Sequence, residues 1–227
     1  TRCFTVLSRP EASVAFSART WNVDLLREGK WQMVVNSQTE IDKILGEYQE
    51  LSARYLNAFS SFEVKTLVVW KGLYKFENYL KESNRRNALL RELTGVTSEY
   101  LAMVFHRFME RSDSPLKVRI NNEQLRPFNP IPIGTRGVRM VENKSRSFGS
   151  DVIKIDGLVL PSTSIDEAES NPNPWTTRNL SLTDMEGLYV YRQNRLITFG
   201  GWNGIIRKSQ KVQLARLRID IGNRADH

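Results

Sequence analysis

The chain has 227 residues, 40% of them hydrophobic, 26% charged and one a cysteine, with a formal net charge of +8. This length and composition indicate one or two globular domains with a sizeable core, and a single cysteine excludes a disulfide framework or a cysteine-based metal site. No apolar run approaches a membrane span and the first residues do not resemble a secretory leader, so we expect a cytoplasmic protein without a membrane role.

Short β-branched or aromatic stretches predict strands over 3–8, 14–21 and 31–35. Apolar side chains at helical spacing predict a helix over 42–56. The continuous apolar run 65–70 is typical of a strand that is buried on both faces.

A helical block is predicted over 76–93 and is expected to end at Gly95. Thr97 or Ser98 then caps the next helix, because a side-chain oxygen at that position can accept from a free backbone N–H. This helix has the clearest apolar stripe in the chain, formed by Leu101, Val104, Phe105, Phe108 and Met109.

The sequence changes to β character after Pro115. Alternating residues predict strands over 116–121 and 151–160, and the Pro-, Gly- and Arg-rich stretch 126–149 predicts a loop with one short strand. Residues 161–175 predict a polar loop. The coarse fold class is therefore α+β, with a helix packed on a mostly antiparallel sheet.

The last part of the chain predicts a hairpin and a final strand. The hairpin spans 187–199 with Gln193-Asn194 at its tip, where asparagine tolerates the left-handed conformation of a tight turn. In the strand 213–221, alternation places Leu217 and its apolar neighbours on one face and Arg216, Arg218 and Asp220 on the other.

A self-contained active site is not evident from the sequence. The two histidines, His106 and His227, are far apart, and His106 falls on the polar flank of the amphipathic helix, where a lone histidine is more often structural or solvated than catalytic. Metalloprotease, paired-cysteine, serine-elbow and phosphate-loop motifs are all missing from this sequence. We therefore expect no catalytic residue and no metal ligand on this chain.

Basic residues are the more suggestive feature. Seven fall close together near the C-terminus and several could share one face of a sheet: Arg192, Arg195, Arg207, Lys208, Lys211, Arg216 and Arg218. They form either a solvated sheet face or a surface that contacts the phosphates of DNA or of a nucleotide. The overall charge leaves the same two alternatives, solubility or phosphate contact.

Four motifs together resemble a known family. Residues 98–111, followed by 116–130, are similar to the segment that opens the second domain of GHKL-type ATPases of the bacterial MutL-like and MORC-like group. The hairpin 187–202 and the segment 214–223 resemble the later part of that domain. The run 65–70 resembles the strand that closes the ATP-binding domain before it. The order and spacing of these motifs agree with the family.

The resemblance implies a domain organisation. Residues 1–74 would be the C-terminal part of a GHKL (Bergerat) ATP-binding sandwich, 75–114 a helical connector with the first helix of the transducer domain, and 115–227 the transducer sheet. The magnesium-holding asparagine, the adenine-reading aspartate and the glycine lid of the family precede residue 1 in its order. Together with a first residue that is not methionine, this leads us to expect a fragment of a larger protein.

The resemblance also implies a function for the parent protein. It would bind ATP and Mg²⁺, hydrolyse ATP slowly, and close as a homodimer around DNA, with a lysine beyond residue 227 reaching the γ-phosphate. Bacterial relatives commonly accompany restriction or phage-defence nucleases, so a partner nuclease is implied. Thr66 matches a threonine that supports the adenine-binding aspartate, or is simply a strand-compatible residue. No cofactor is expected on this chain alone.

Aromatic residues of the hairpin have an expected place in such a domain. Tyr189 and Tyr191 would pack between the sheet and the helix 101–109. Trp202 would anchor the following loop as a core residue, or would contact a partner. The rival interpretation of the whole chain is a non-enzymatic basic module for nucleic-acid binding or dimerisation.

Overall fold

The computed structural model describes residues 2–26, 32–56, 63–74, 76, 81–121, 123–162 and 174–224. It has an α+β fold and divides into two compact units, Thr1–Leu90 and Arg91–His227. The boundary at 90/91 falls within the predicted helical connector 75–114. The predicted helix start at 76–80, the tryptophan of the strand 31–35, most of the polar loop 161–175 and His227 lie wholly or partly outside the described residues.

The first unit contains a four-stranded antiparallel sheet in the order β3-β2-β1-β4. Its described elements are β1 (Cys3–Ser8), β2 (Ser17–Asn22), α1 (Val23–Leu26), β3 (Val34–Val35), α2 (Gln38–Leu56) and β4 (Thr66–Lys71). A capping box starts α2, because Ser37 and Glu40 exchange side-chain-to-backbone hydrogen bonds. A small core forms where Leu7, Ala18 and Ile41 are buried together.

The second unit contains a five-stranded sheet in the order β10-β9-β11-β8-β7, antiparallel except for the β9–β11 pair. Its described helices are α3 (Glu82–Arg91), α4 (Ser98–Val104), α5 (His106–Met109) and α6 (Leu182–Met185), with α3 beginning in the first unit. Its strands are β5 (Arg119–Ile120), β6 (Glu123–Gln124), β7 (Arg139–Phe148), β8 (Asp151–Val159), β9 (Gly187–Arg192), β10 (Arg195–Phe199) and β11 (Ala215–Ile221).

The core of the second unit lies between helix α4 and one face of the sheet. Met103 from the helix joins Leu158, Tyr189, Tyr191 and Leu196 from three strands in one buried cluster. This confirms the predicted place of the two tyrosines. Trp202 is 8% exposed, which confirms it as a buried residue at the start of the loop after β10.

The hairpin β9–β10 turns where the sequence predicted. Gln193 and Asn194 have φ values of 50° and 69°, and Arg192 pairs with Arg195 across the turn. Two left-handed residues in succession give the hairpin turn whose twist matches that of the flanking strands.

Two predictions about strands are wrong. The run 65–70 is not buried on both faces: β4 is an edge strand of its sheet, and the side chains of Val68 and Trp70 are 49% and 65% exposed. The strand predicted within 126–149 is not short, because β7 covers ten residues of that stretch and pairs with β8 along its length. Its polar composition fits an edge strand on which every residue is exposed.

The helix predictions near Gly95 are also wrong. A π-helical segment, Glu92–Thr97, joins α3 to α4, so Gly95 does not end the helical block. Thr97 and Ser98 have helical dihedrals and do not cap a new helix. The Ser98 hydroxyl instead donates to the carbonyls of Thr94 and Gly95, at 2.6 and 3.0 Å.

The apolar stripe predicted on the next helix is not the buried face. Val104 is the one buried residue of the five in the predicted stripe. The other buried side chains of this segment lie outside the stripe: Ala102, Met103 and His106. Phe105 interrupts the helix with φ −105° and ψ 11°, so the residues that follow it are rotated relative to a continuous helix. This rotation turns the side chain of His106 inward, which corrects its predicted place on the polar flank.

Candidate functional site

The seven predicted phosphate-binding residues do not share one surface. Arg216 and Arg218 lie on the helix-covered face of β11, and Arg192 and Arg195 flank the β9–β10 turn. The remaining three, Arg207, Lys208 and Lys211, lie in the loop between β10 and β11. The structure thus distributes them over three environments with different chemistry.

Arg216 is buried and is not available to a ligand at the surface. It is 1% exposed, and its Nη1 donates to the carbonyls of Gln213 and Ala215 at 2.8 and 3.0 Å. Its guanidinium carbon lies 5.9 Å from the ring centre of Tyr189. Burial lowers the pKa of Arg216, and the nearby buried carboxylate of Glu186 opposes that shift. Burial also raises the pKa of Tyr189, to about 12.

Arg218 belongs to a chain of ion pairs inside the unit. It pairs with the buried carboxylate of Asp156 and, at 3.0 Å, with Asp220. Asp220 also pairs with Arg107 from helix α5, whose guanidinium lies 3.5 Å above the ring of Tyr191. The prediction that Arg216 and Arg218 face outward is therefore wrong: β11 presents its charged side chains to the helix.

The two arginines at the hairpin turn are engaged within the chain. The Nε of Arg192 donates to the side chain of Asn223 at 3.1 Å. The guanidinium of Arg195 lies 5.4 Å from the ring centre of Phe105. Both lie at the turn end of the hairpin. At the usual rise of a β-strand, the stretch from Gly187 to Arg192 spans about 16 Å, so this end is far from Gly187.

Arg207, Lys208 and Lys211 lie at the other end of β9 and all three are exposed. Lys208 approaches Asp184 at 4.0 Å, a contact between two well-exposed side chains. Among the described residues, Arg207 and Lys211 form no ion pair or hydrogen bond through their side chains. This loop is the part of the predicted basic cluster whose charges face solvent.

Buried His106 forms a hydrogen-bonded triad with buried Tyr191 and with Glu110 at the surface. Its Nδ1 lies 3.0 Å from the Glu110 carboxylate and its Nε2 lies 2.9 Å from the Tyr191 hydroxyl. A carboxylate only accepts, so Nδ1–H donates to Glu110 and the neutral ring accepts from Tyr191 through Nε2. Burial lowers the pKa of His106 and raises the pKa of Tyr191. This triad fastens helix α5 to the sheet.

Thr66 opens β4 in the first unit, beside Ser8. Its side chain is exposed, and its hydroxyl lies 3.3 Å from that of Ser8 across the β1–β4 pair. The position is an ordinary strand position with a cross-strand hydroxyl partner. The nucleotide role that the resemblance implies for Thr66 stays a prediction.

A cleft of about 620 Å³ opens in the second unit beside helix α4. It is lined by Glu99 and Ala102 of the helix, by the β5–β6 hairpin and by residues 174–178. The Glu99 carboxylate accepts from the backbone of Arg178 at 3.0 Å and from the side chain of Asn179 at 2.8 Å, so it fastens the loop. The remaining walls mix apolar groups with charges of both signs and indicate no ligand class.

Sequence reasoning missed Glu186, which is buried at the base of the basic loop. The detectable signal was the loop itself, since residues 200–214 contain two adjacent glycines and no acidic residue.

In the described part of the chain, no three His, Cys, Asp or Glu side chains come together as a metal site. No helix in that part is long and apolar enough to span a membrane. The chain matches no protein-family model and no curated protein sequence.

Proposed function

We propose that this chain is part of a cytoplasmic GHKL-type ATPase of the MutL-like and MORC-like group, with DNA as its client. In this proposal the first unit is the end of the ATP-binding domain and the second unit is the transducer. The parent protein binds ATP and Mg²⁺ and acts as a homodimer, and a partner nuclease in restriction or phage defence is its implied setting. The resemblance in four motifs is the origin of the proposal.

One structural observation supports it most. Three of the four motifs are separated by long stretches of sequence, yet their residues meet in one core. His106 of the helical motif bonds to Tyr191 of the hairpin motif, and Arg107 pairs with Asp220 of the last strand. A helix joined to a sheet by one buried and one partly buried polar contact moves with it as one body, and such a body can transmit a change at one end to the other.

The first test is nucleotide binding and hydrolysis. We expect the parent polypeptide to bind and hydrolyse ATP with Mg²⁺, and this chain alone to show no ATP binding by calorimetric titration. Micromolar binding of ATP by this chain alone would contradict the fragment interpretation. A parent polypeptide that contains this chain and neither binds nor hydrolyses ATP would contradict the ATPase proposal.

The rival function, a basic nucleic-acid-binding module without ATP chemistry, is favoured by the exposed basic loop. Residues 203–208 of this loop are all exposed, and no acidic residue lies between Gly200 and Leu214. The test of nucleotide binding and hydrolysis separates the two functions, because the rival function predicts DNA binding by the parent protein without ATP hydrolysis.

A further inference from the structure

The loop between β10 and β11 leaves and rejoins the sheet at the same residue. Gly187 forms a bridge with Gly201 on one side and pairs with Arg216 of β11 on the other. Residues 202–214 therefore form a compact loop whose two ends are adjacent, which is the definition of an Ω-loop. We call this segment the Ω-loop. Surface loops of this length without regular structure are commonly functional.

The base of the Ω-loop is fixed by Glu186 and by tight backbone packing. The carboxylate of Glu186, which is 0% exposed, accepts from the backbone N–H of Ser209 at 3.1 Å. Its own carbonyl accepts from Gly201 at 2.6 Å. The indole of Trp202 is buried directly after that point. The loop is thus held at its start and again in its second half.

The tip of the Ω-loop is exposed, apolar and positively charged at once. Ile205 and Ile206 are 74% and 45% exposed, although the chain buries comparable side chains elsewhere. Arg207, Lys208 and Lys211 follow, and within the part of the chain that the structure describes only Lys208 has a carboxylate within 4.0 Å. Exposed aliphatic side chains beside unpaired cations, on a loop with a fixed base, indicate a contact surface for an anionic partner.

We propose that the Ω-loop is a duplex-DNA contact surface. This proposal rests on the DNA client of the proposed function and names the residues that contact it. Arg207 and Lys211 bind backbone phosphates, and Ile205 and Ile206 pack against sugars or bases in a groove.

The other side chains of the loop favour DNA over an anionic membrane. Asn203, Gln210 and Gln213 offer amide groups, which hydrogen-bond to phosphates and base edges, whereas a lipid surface would select more aromatic or aliphatic residues than two isoleucines.

The test measures binding of this chain to a fluorescent duplex of about 30 base pairs over about 50 to 200 mM salt. We expect the double variant Arg207→Glu, Lys211→Glu to bind about tenfold more weakly. Its plot of log affinity against log salt should be less steep by about 1.8, since each lost phosphate contact accounts for about 0.9. Ile205→Ser with Ile206→Ser should weaken binding with little change in that slope.

A matched control changes the same charge elsewhere in the second unit. Arg136 and Arg139 are exposed. The variant Arg136→Glu, Arg139→Glu should keep most of the affinity, and thermal unfolding should show that all variants are folded. Equal losses in the two double variants would overturn the proposal, because net charge alone would then explain binding. It would also be overturned if the chain ignored DNA and bound phosphatidylserine-containing vesicles through the same loop.

The DNA measurement contains no ATP, so its outcome is independent of the ATPase test. If the parent fails to hydrolyse ATP while the loop variants lose DNA, the ATPase proposal is wrong and the Ω-loop surface stands. If the parent is an ATPase and the loop variants bind DNA like the wild type, the Ω-loop proposal is wrong.

Discussion

At the scale of single residues, the environment of a side chain decides its role more than its type does. Arg216, Arg218 and Arg207 are chemically alike, yet the first lies buried over a tyrosine, the second completes an ion-pair chain, and the third projects into solvent. Leaving a buried guanidinium without its carbonyl and carboxylate neighbours would be costly, so its position is fixed by the whole core. Only the third is free to meet a partner.

Gly187 is the residue on which the Ω-loop closes, and it has no room for a side chain. A Cβ there would lie 2.1 Å from the Gly201 carbonyl oxygen, at a φ of +112°. We expect Gly187→Ala to lower the free energy of unfolding by about 3–5 kcal/mol, from backbone strain and overpacking together. Urea unfolding measures this loss.

Gly204 in the same loop is the matched control. Its φ is +81°, but no atom lies within 4 Å of a Cβ built there. Gly204→Ala should therefore cost only about 1–2 kcal/mol, from the left-handed backbone alone. Equal costs at the two positions would mean that the contact between Gly187 and Gly201 does not hold the loop base.

His106 makes the stability of the chain depend on pH. Burial lowers its pKa in the folded chain, while the unfolded histidine titrates near 6.5, so the unfolded chain binds more protons below that pH. The groups that face the ring are Glu110, Tyr191 and Arg107. Stability is therefore full above 6.5 and falls as the pH drops from there towards the folded pKa.

The corresponding prediction concerns the slope of this fall. Between about pH 7.5 and 5 the wild type should lose up to about 1.4 kcal/mol per pH unit from this group, and His106→Gln should lose that component. Urea unfolding at several pH values measures both. The chain contains one other histidine, His227. His227→Gln should retain the slope, and a slope that disappears in His227→Gln instead would contradict this assignment.

At the scale of elements, one non-helical residue decides which helix face packs on the sheet. Phe105 separates α4 from α5, and the side chains buried around it belong to Met103, Val104 and His106. The rings of Phe105 and Phe108 stay at the rim of the core, 6.2 Å apart, where Arg195 and Arg111 lie over them. If residues 101–109 are taken as one continuous helix, the pattern predicts a buried stripe that includes Phe105 and Phe108, which differs from the observed one.

Helix α4 offers a direct test of the buried face. Met103 is 1% exposed within the main cluster, whereas Tyr100 is 49% exposed on the same helix. Met103→Ala should destabilise the second unit by about 2–5 kcal/mol, from lost burial and the cavity. Tyr100→Ala should cost less than about 1 kcal/mol. Chemical unfolding of the two variants measures the difference, and the reverse order would mean that α4 packs through its other face.

At the scale of the whole molecule, the chain consists of two compact units with different cores. The first is a four-stranded sheet with a small core around Leu7, and the second is a five-stranded sheet with a larger core around Met103. The chain has a net charge of +8. Within the second unit, Arg107 and Arg218 form internal ion pairs with carboxylates, whereas the cations at the Ω-loop tip face solvent and can act on an anionic partner.

The sequence by itself determined the local features of this protein. Alternation and turn chemistry were enough for β1, β8 and the hairpin β9–β10, because these depend on residues close in sequence. The α+β class followed from the order of such segments, and the packing of Tyr191 against the helix was expected from the resemblance and is confirmed. Local propensity was sufficient where neighbours in the chain are also neighbours in space.

Only the tertiary structure decided which faces are inside. The strand β7 exists because β8 pairs with it, although its own residues are polar. The face of β11 that carries Arg216 and Arg218 packs inward because Tyr189 and Asp156, distant in sequence, supply their partners. Burial of charge depends on such distant partners, and alternation along one strand identifies its two faces without saying which of them is covered.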